Sequence, residues 1–250
     1  MQQPSANGIA PAPKAPGRLG VAYVTLAALT GVLMLGSLAM VFGYAPQAQL
    51  AAGGIVQKIF YFHVPSAYVM YVGVAVCCVA SIVYLITRKD TWDAVALAGA
   101  EMACVFCLIV LITGPLWARR AWGVYWVWDA RLTTTLLCGL VFIAYLVLRA
   151  FGTDGEAEKR FAAALGIFGA VDAPFVHWSV QRWRGQHPTV ITSRGGGLDP
   201  DMKTTLLVCF VAFTAFAVLL LWTRIRAELD KQRVARLRLE IAAHGLGEDG

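Results

Sequence analysis

The sequence predicts an all-α fold, a polytopic membrane helix bundle with six transmembrane helices. Hydrophobic residues make up 58% of the 250 residues, charged residues only 14%, and the mean hydropathy is +0.64. A soluble domain has about a quarter of its residues charged, so this composition excludes an ordinary soluble protein. Six apolar runs follow one another along the chain, each near the length of about 20 residues that a bilayer core requires.

The expected spans cover residues 20–43, 64–86, 94–116, 132–151, 161–178 and 204–222. The fifth is the shortest and carries Asp172 and Pro174, but without it the basic C-terminus would lie on the wrong side of the membrane. The Pro-rich residues 1–19 are expected to form a disordered cytoplasmic tail without a cleavable signal peptide. Residues 20–226 then form the membrane domain, and residues 227–250 form a cytoplasmic tail.

The lysines and arginines orient the bundle, because cytoplasmic segments carry the excess of these residues. With both termini in the cytoplasm, 13 of the 21 lysines and arginines lie inside and eight lie outside. The eight outer residues are Lys58, Arg119, Arg120, Arg131, Arg182, Arg184, Arg194 and Lys203. So many cations on the outer face indicate an anionic partner on that side.

The segment 117–131 holds four of the eight tryptophans. It joins the third and fourth spans, so we expect it to form a loop at the outer membrane surface. Tryptophan suits such a surface because its ring is apolar while its N–H needs a hydrogen-bond partner. The segment also contains Arg119, Arg120, Asp129 and Arg131. Aromatic rings edged by charges suit a large, flat, anionic ligand.

Two of the four histidines are expected to face the same side as this loop. His63 precedes Pro65, which suits the first turn of a helix, and His187 lies in the last outer loop. Two imidazoles can ligate one heme iron from opposite faces, with the propionates on arginines. For a lone interfacial histidine the alternative is a polar anchor. We expect His177 to be a buried hydrogen-bonding residue and His244 to be solvated.

The cysteines and the acids inside the spans are further candidates for functional groups. All six cysteines lie in apolar runs and are expected to be small buried hydrophobes, including Cys104 and Cys107 with their redox-type spacing. There is no Cys-x-x-Cys-His sequence through which the chain could attach heme to itself. Glu101 and Asp172 are functional candidates as intramembrane carboxylates, and neither has an obvious cationic partner within the apolar runs.

Residues 122–133 resemble the tryptophan-rich signature of a superfamily of heme-handling membrane proteins, roughly Trp-Gly-x-x-Trp-x-Trp-Asp-x-Arg. The superfamily's heme lyase and system II synthetase are larger and have more spans. A six-span chain of this length resembles the cytochrome c maturation protein C family, also called heme exporter protein C. The resemblance extends to residues 58–67, 113–117 and 179–187. Tyr125 stands where many members carry tryptophan.

The resemblance implies a heme-binding protein of the bacterial inner membrane. It would deliver or export heme to a periplasmic heme chaperone for c-type cytochrome biogenesis, without catalytic residues of its own. Non-covalent, b-type heme would have His63 and His187 as axial iron ligands. The other expected heme-binding residues are Trp117, Trp122, Trp126, Trp128, Asp129 and Arg131. Asp129 is expected to hold the loop by accepting hydrogen bonds from amides or from Arg131.

The resemblance also implies partners: the periplasmic heme chaperone, heme ABC transporter subunits, a small single-span accessory protein and the lipid bilayer, but no nucleic acid. Two other classes remain open from the residues alone. A membrane solute transporter would need substrate groups near the midplane, often on broken helices, whereas the polar groups here cluster outside. A b-type heme electron carrier would place histidine pairs inside the spans, where only His177 comes close.

Overall fold

The computed structural model describes residues 18–49, 53–152, 155–182 and 197–243, and all regular structure within these ranges is helical. Six α-helices follow in chain order: α1 (Arg18–Ala39), α2 (Phe60–Thr87), α3 (Asp90–Trp122), α4 (Ala130–Phe151), α5 (Glu156–Arg182) and α6 (Pro200–Ala243). A π-helical turn, Met40–Tyr44, extends α1, and a 3-10 helix, Gly54–Ile59, leads into α2. The predicted all-α fold is confirmed.

Five of the described helices are long and apolar enough to cross a membrane, with mean hydropathies of 2.0 to 2.6 in their most apolar stretches. These helices are α1, α2, α3, α4 and α6. The remaining helix, α5, lies where the short fifth span was predicted, is 27 residues long and packs against α2 and α4. At about 1.5 Å per residue it has the length to cross a bilayer core. The protein is therefore a polytopic helical membrane protein.

Helices that are consecutive in the chain run in opposite directions, as contacts at the two ends of the bundle show. At one end the start of α3 meets the end of α4, where Asp93 pairs with Arg149 at 2.9 Å (Oδ2–Nη2). At the other end the start of α2 meets the end of α3, where Gln57 contacts Trp117. We call this second end the site end, because α2 begins, α3 ends and α4 begins there. The end of α5 and the start of α6 also lie at the site end.

The backbones of α2 and α3 come into direct contact where the two helices cross. A Cβ added to Gly73 would lie 2.6 Å from the main-chain nitrogen of Ala103, and one added to Gly99 would lie 2.6 Å from that of Cys77. Small residues at such crossings let membrane helices approach until their backbones touch. Any larger residue at either glycine would push the helices apart. The crossing therefore fixes the position of α2 along α3.

The intramembrane acid Glu101 has a cationic partner that lies outside the apolar runs. The guanidinium of Arg224 on α6 donates from both Nε and Nη2 to the carboxylate of Glu101. The pair escaped sequence inspection because its members are 123 residues apart and Arg224 lies just beyond the expected sixth span. Asp172 differs, since its Oδ2 is buried without a hydrogen-bond partner among the described residues.

The cysteines agree with the prediction that they pack as apolar side chains. All six are free thiols, five are buried, and Cys78 is half-buried. Cys104 and Cys107 lie one helical turn apart on α3, inside the helix packing. They contribute to the core as small side chains.

Several helix boundaries differ from those expected. Helix α3 continues to Trp122, so the non-helical part of the expected loop 117–131 is only 123–129. Alanine and arginine, which fill 118–121, favour the helix strongly. For the same reason α6 continues to Ala243, through much of the expected C-terminal tail. Helix α2 begins before Pro65, at Phe60, because the 3-10 helix already supplies its first turn.

Candidate functional site

His63 lies in the first turns of α2 and is half-buried against α3. Its Nδ1 lies 2.8 Å from the hydroxyl oxygen of Thr113. A Cβ added to Gly114 would lie 3.3 Å from the Cε1 atom of the imidazole. The ring therefore packs directly on the α3 backbone at Gly114, where an added methyl group would make a tight contact with it.

Two further contacts hold the start of α2 in place. Nζ of the buried Lys58 donates to the main-chain oxygen of Val41 at 2.6 Å and lies 3.4 Å from that of Ala45. Carbonyl oxygens at a helix C-terminus attract cations, and these carbonyls end α1. The indole N–H of Trp117 donates to Oε1 of Gln57 at 2.7 Å. The sequence position of Lys58 suggested a cation on the outer surface that could meet an anionic partner. The structure shows instead that Lys58 is buried and bound to main-chain oxygens.

The four tryptophans form two edge-to-face pairs. The ring centroids of Trp117 and Trp122 lie 5.3 Å apart with an interplanar angle of 80°, and those of Trp126 and Trp128 lie 5.6 Å apart at 77°. Trp128 is 76% exposed. The Nε1 of Trp126 is buried with no hydrogen-bond partner among the described residues. A buried N–H without an acceptor is costly, so this indole is a ready donor for an anionic or carbonyl group.

The turn after α3 is held by Gly123 and Arg119. Gly123 has a φ of 79°, the left-handed conformation that commonly ends a helix. The guanidinium of Arg119 donates to the main-chain oxygen of Gly123 and lies 5.6 Å from the ring centroid of Tyr125. These contacts fold the chain back, so that the second tryptophan pair follows the first at the site end.

Asp129 caps the N-terminus of α4. Its Oδ1 accepts a hydrogen bond from the main-chain N–H of Leu132 at 2.8 Å, and its own backbone is extended, the usual geometry of a helix N-cap. The acceptance of an amide hydrogen bond agrees with the role expected for this residue. Oδ2 is buried with no partner among the described residues.

Arg131 reaches from the start of α4 to α5 and is half-buried. Its Nε donates to the main-chain oxygen of Val176 at 3.4 Å. An open apolar cavity of about 360 Å³ lies beside this contact, between α2 and α5, and is lined by Tyr71, Ala173, Pro174 and Trp178. Arg131 thus brings a positive charge to the edge of an apolar, partly aromatic space.

The structure places most of the predicted site residues at the site end. His63 contacts Thr113, and Trp117 follows one helical turn later on the same face of α3. The residues Trp122, Trp126, Trp128, Asp129 and Arg131 follow at the end of α3, in the loop and at the start of α4. His187 and the side chain of His177 lie outside the described part of the structure. The placement of His187 therefore stays a prediction.

Sequence reasoning did not single out Thr113 or Gln57 as partners of site residues. Thr113 stood in a segment noted only for its resemblance to the family, and no local pattern pairs it with a histidine 50 residues earlier. Nothing in the sequence connects Gln57 with a tryptophan 60 residues later. Across the described ranges, no group of three or more His, Cys, Asp or Glu side chains could hold a metal ion. Among the described residues, the site offers one imidazole, that of His63, and several aromatic rings.

Comparison with known proteins settles the family. A family model described as heme exporter protein C matches residues 12–240. The chain belongs to the heme exporter protein C family. The resemblance seen in the tryptophan-rich segment is thereby confirmed, and it extends over nearly the whole chain.

Individual members of the family show the same relationship. Heme exporter protein C of Bradyrhizobium diazoefficiens is 35% identical over 188 residues, which cover 74% of this chain and 72% of that protein. The Escherichia coli K12 protein of the same name is 32% identical over 186 residues, 74% of each chain. That of Paracoccus denitrificans is 29% identical over 201 residues, covering 79% and 83%.

We expect Asp129→Ala to destabilise the protein by about 0.5–2 kcal/mol, the usual cost of losing an N-cap. Asp129→Asn should retain most of the stability, because its amide oxygen still accepts the Leu132 N–H. Thermal unfolding in detergent, followed with a thiol-reactive dye on the buried cysteines, measures the difference. Asp230→Ala, on an exposed part of α6, is the control. If the Asn variant were as unstable as the Ala variant, capping would not be the role of this carboxylate.

Proposed function

We propose that this member of the heme exporter protein C family binds heme at the site end and delivers it to a periplasmic heme chaperone for c-type cytochrome biogenesis. Heme is the cargo and is held without a covalent bond. The observation that carries the proposal is the half-buried His63, oriented by Thr113 and set beside the tryptophans that end α3. Family membership supports a role in heme handling, and the site residues include groups that can bind the iron, the porphyrin and the propionates of heme.

The residues at the site end fit the three chemical parts of heme. An imidazole is the commonest protein ligand of heme iron, and His63 supplies one. The apolar porphyrin suits the edge-to-face tryptophan pairs and the nearby cavity. The propionates need donors and cations, which the buried indole N–H of Trp126 and the guanidinium of Arg131 provide.

We propose His187 as the second axial ligand. It lies between the end of α5 and the start of α6, both of which are at the site end. His63 lies near the start of α2, at that same end. Chain connectivity thus supports an approach of the two histidines to one iron from different elements of the bundle.

The exposure of the tryptophan-rich segment supports release of heme to a partner. Trp128 is 76% and Tyr125 58% exposed, so one edge of the site is open to solvent or to a docked protein. A stable electron carrier would enclose its heme within the spans. A solute transporter would need substrate groups near the midplane, often on broken helices. Glu101 is paired with Arg224 and Asp172 is a single carboxylate, whereas the tryptophans, Asp129 and Arg131 cluster at the site end. These observations favour a delivery protein over both alternatives.

The orientation completes the proposal. We place the protein in the bacterial inner membrane with both termini in the cytoplasm and the site end in the periplasm, on the basis of the lysine and arginine distribution. Heme ABC transporter subunits and a small single-span protein are the further partners that we propose. The aromatic site end then faces the compartment in which the heme chaperone receives its heme.

The heme ligands can be tested by absorption spectroscopy of the purified protein. We expect wild-type protein to show a bis-histidine Soret and visible spectrum, and His63→Ala and His187→Ala each to lose it. His177→Ala is the matched control and should leave the spectrum unchanged. Retention of the wild-type spectrum in both single variants would contradict the proposed ligands.

The tryptophans can be tested separately from the histidines. Stacking on an aromatic ring contributes about 1–3 kcal/mol per partner in nucleic-acid complexes, so single changes of Trp122, Trp126 or Trp128 to Ala should lower heme occupancy moderately. The triple variant should lose stable heme. Heme occupancy and covalent heme on the acceptor chaperone are measured on the same variants. Full occupancy in the triple variant, with failure only in transfer, would contradict heme binding by these rings and favour a docking role.

A further inference from the structure

We infer that Thr113 is a positioning residue that fixes the tautomer of His63, so that Nδ1 carries the proton and Nε2 carries the lone pair for the iron. The tautomer follows from the structure alone, and its use for iron rests on the proposed function. Thr113 is assigned no contact with the heme itself. It acts through the imidazole that it orients.

The direction of the hydrogen bond follows from the two contacts of the Thr113 hydroxyl. A threonine hydroxyl has one proton to donate and lone pairs to accept. Its Oγ1 lies 2.7 Å from the main-chain oxygen of Ile109, one turn earlier on α3. A carbonyl oxygen only accepts, so the hydroxyl proton points to Ile109. Oγ1 must then accept from Nδ1 of His63, which lies 2.8 Å away.

The tautomer follows from this direction. In a neutral imidazole one nitrogen carries the proton and the other carries the lone pair, and the hydrogen bond made by one nitrogen decides the role of the other. Because Nδ1–H donates to Thr113, Nε2 holds the lone pair. Only a nitrogen with a lone pair can ligate iron. The hydrogen bond therefore prepares His63 for ligation before any heme arrives.

The same hydrogen bond sets the orientation of the ring. At Gly114 the α3 backbone lies close to the imidazole, because a Cβ added there would be 3.3 Å from Cε1 of His63. The imidazole therefore packs on α3 beside Thr113. Partners of this kind fix ring orientation and raise ligand basicity, and their loss commonly lowers metal affinity about 10–100-fold.

The first test measures the tautomer without heme. Heme-free protein with ¹⁵N-labelled histidine is examined by NMR at alkaline pH, and the His63 signals are assigned by their loss in His63→Ala. We expect wild-type protein and Thr113→Ser to show protonated Nδ1 and unprotonated Nε2. Thr113→Val, which keeps the side-chain shape but removes the acceptor, should shift the population toward protonated Nε2. Protonated Nε2 in the wild-type protein would overturn the inference.

The second test measures heme affinity and the heme spectrum of the same variants. Thr113→Val should bind heme about 10–100-fold more weakly, and Thr113→Ser should restore binding. Thr25→Val removes a hydroxyl with the same main-chain bond on the exposed face of α1 and should bind as wild type. A shifted tautomer with unchanged affinity and spectrum would overturn the role of Thr113. Wild-type protein with the expected tautomer but no heme binding would instead overturn the proposed function and, with it, the iron-binding role.

Discussion

The backbone contact between α2 and α3 at Gly73 and Gly99 is the constraint on which the site depends. Two helices whose main-chain atoms are in contact cannot slide past each other without a steric clash. One end of α2 is thereby held against one end of α3, and the His63 ring rests beside Thr113. The same pairing brings Gln57 to Trp117, so the aromatic end of α3 is aligned with the imidazole.

Around this helix pair, polar side chains at the site end form hydrogen bonds with main-chain groups at or near the helix ends. Lys58 donates a hydrogen bond to a main-chain oxygen in the turn that extends α1. Asp129 caps the N-terminus of α4, and Arg131 donates to a main-chain oxygen of α5. Polar backbone groups at membrane depth must find partners within the protein. These side chains hold the aromatic rings on short, well-connected turns. The indole N–H of Trp126 has no hydrogen-bond acceptor among the described residues, so it can donate to a bound anion.

Much of the fold was predictable from the sequence, because hydropathy and length determine which segments can cross a membrane. The tryptophan-rich segment was also predictable, as was the acceptance of a main-chain hydrogen bond by Asp129, since both rest on local sequence. Long-range pairs were not: Glu101 with Arg224, and His63 with Thr113, are joined only by helix packing. Lys58 was assigned to the outer surface because sequence position shows which end of a helix a residue occupies but not which way it points.

We propose that His63, His187 and the tryptophan-rich segment share one outward face of the membrane, and cysteine accessibility measures this arrangement. In a cysteine-free background, an impermeant maleimide is applied to intact cells carrying single cysteines at Val124, Ser193, Lys89 or Ala157. Positions 124 and 193 should be labelled from outside, and positions 89 and 157 only after permeabilisation. Labelling of Ala157→Cys from outside would contradict this arrangement, because α5 would then not cross the membrane and the two histidines would not meet on one face.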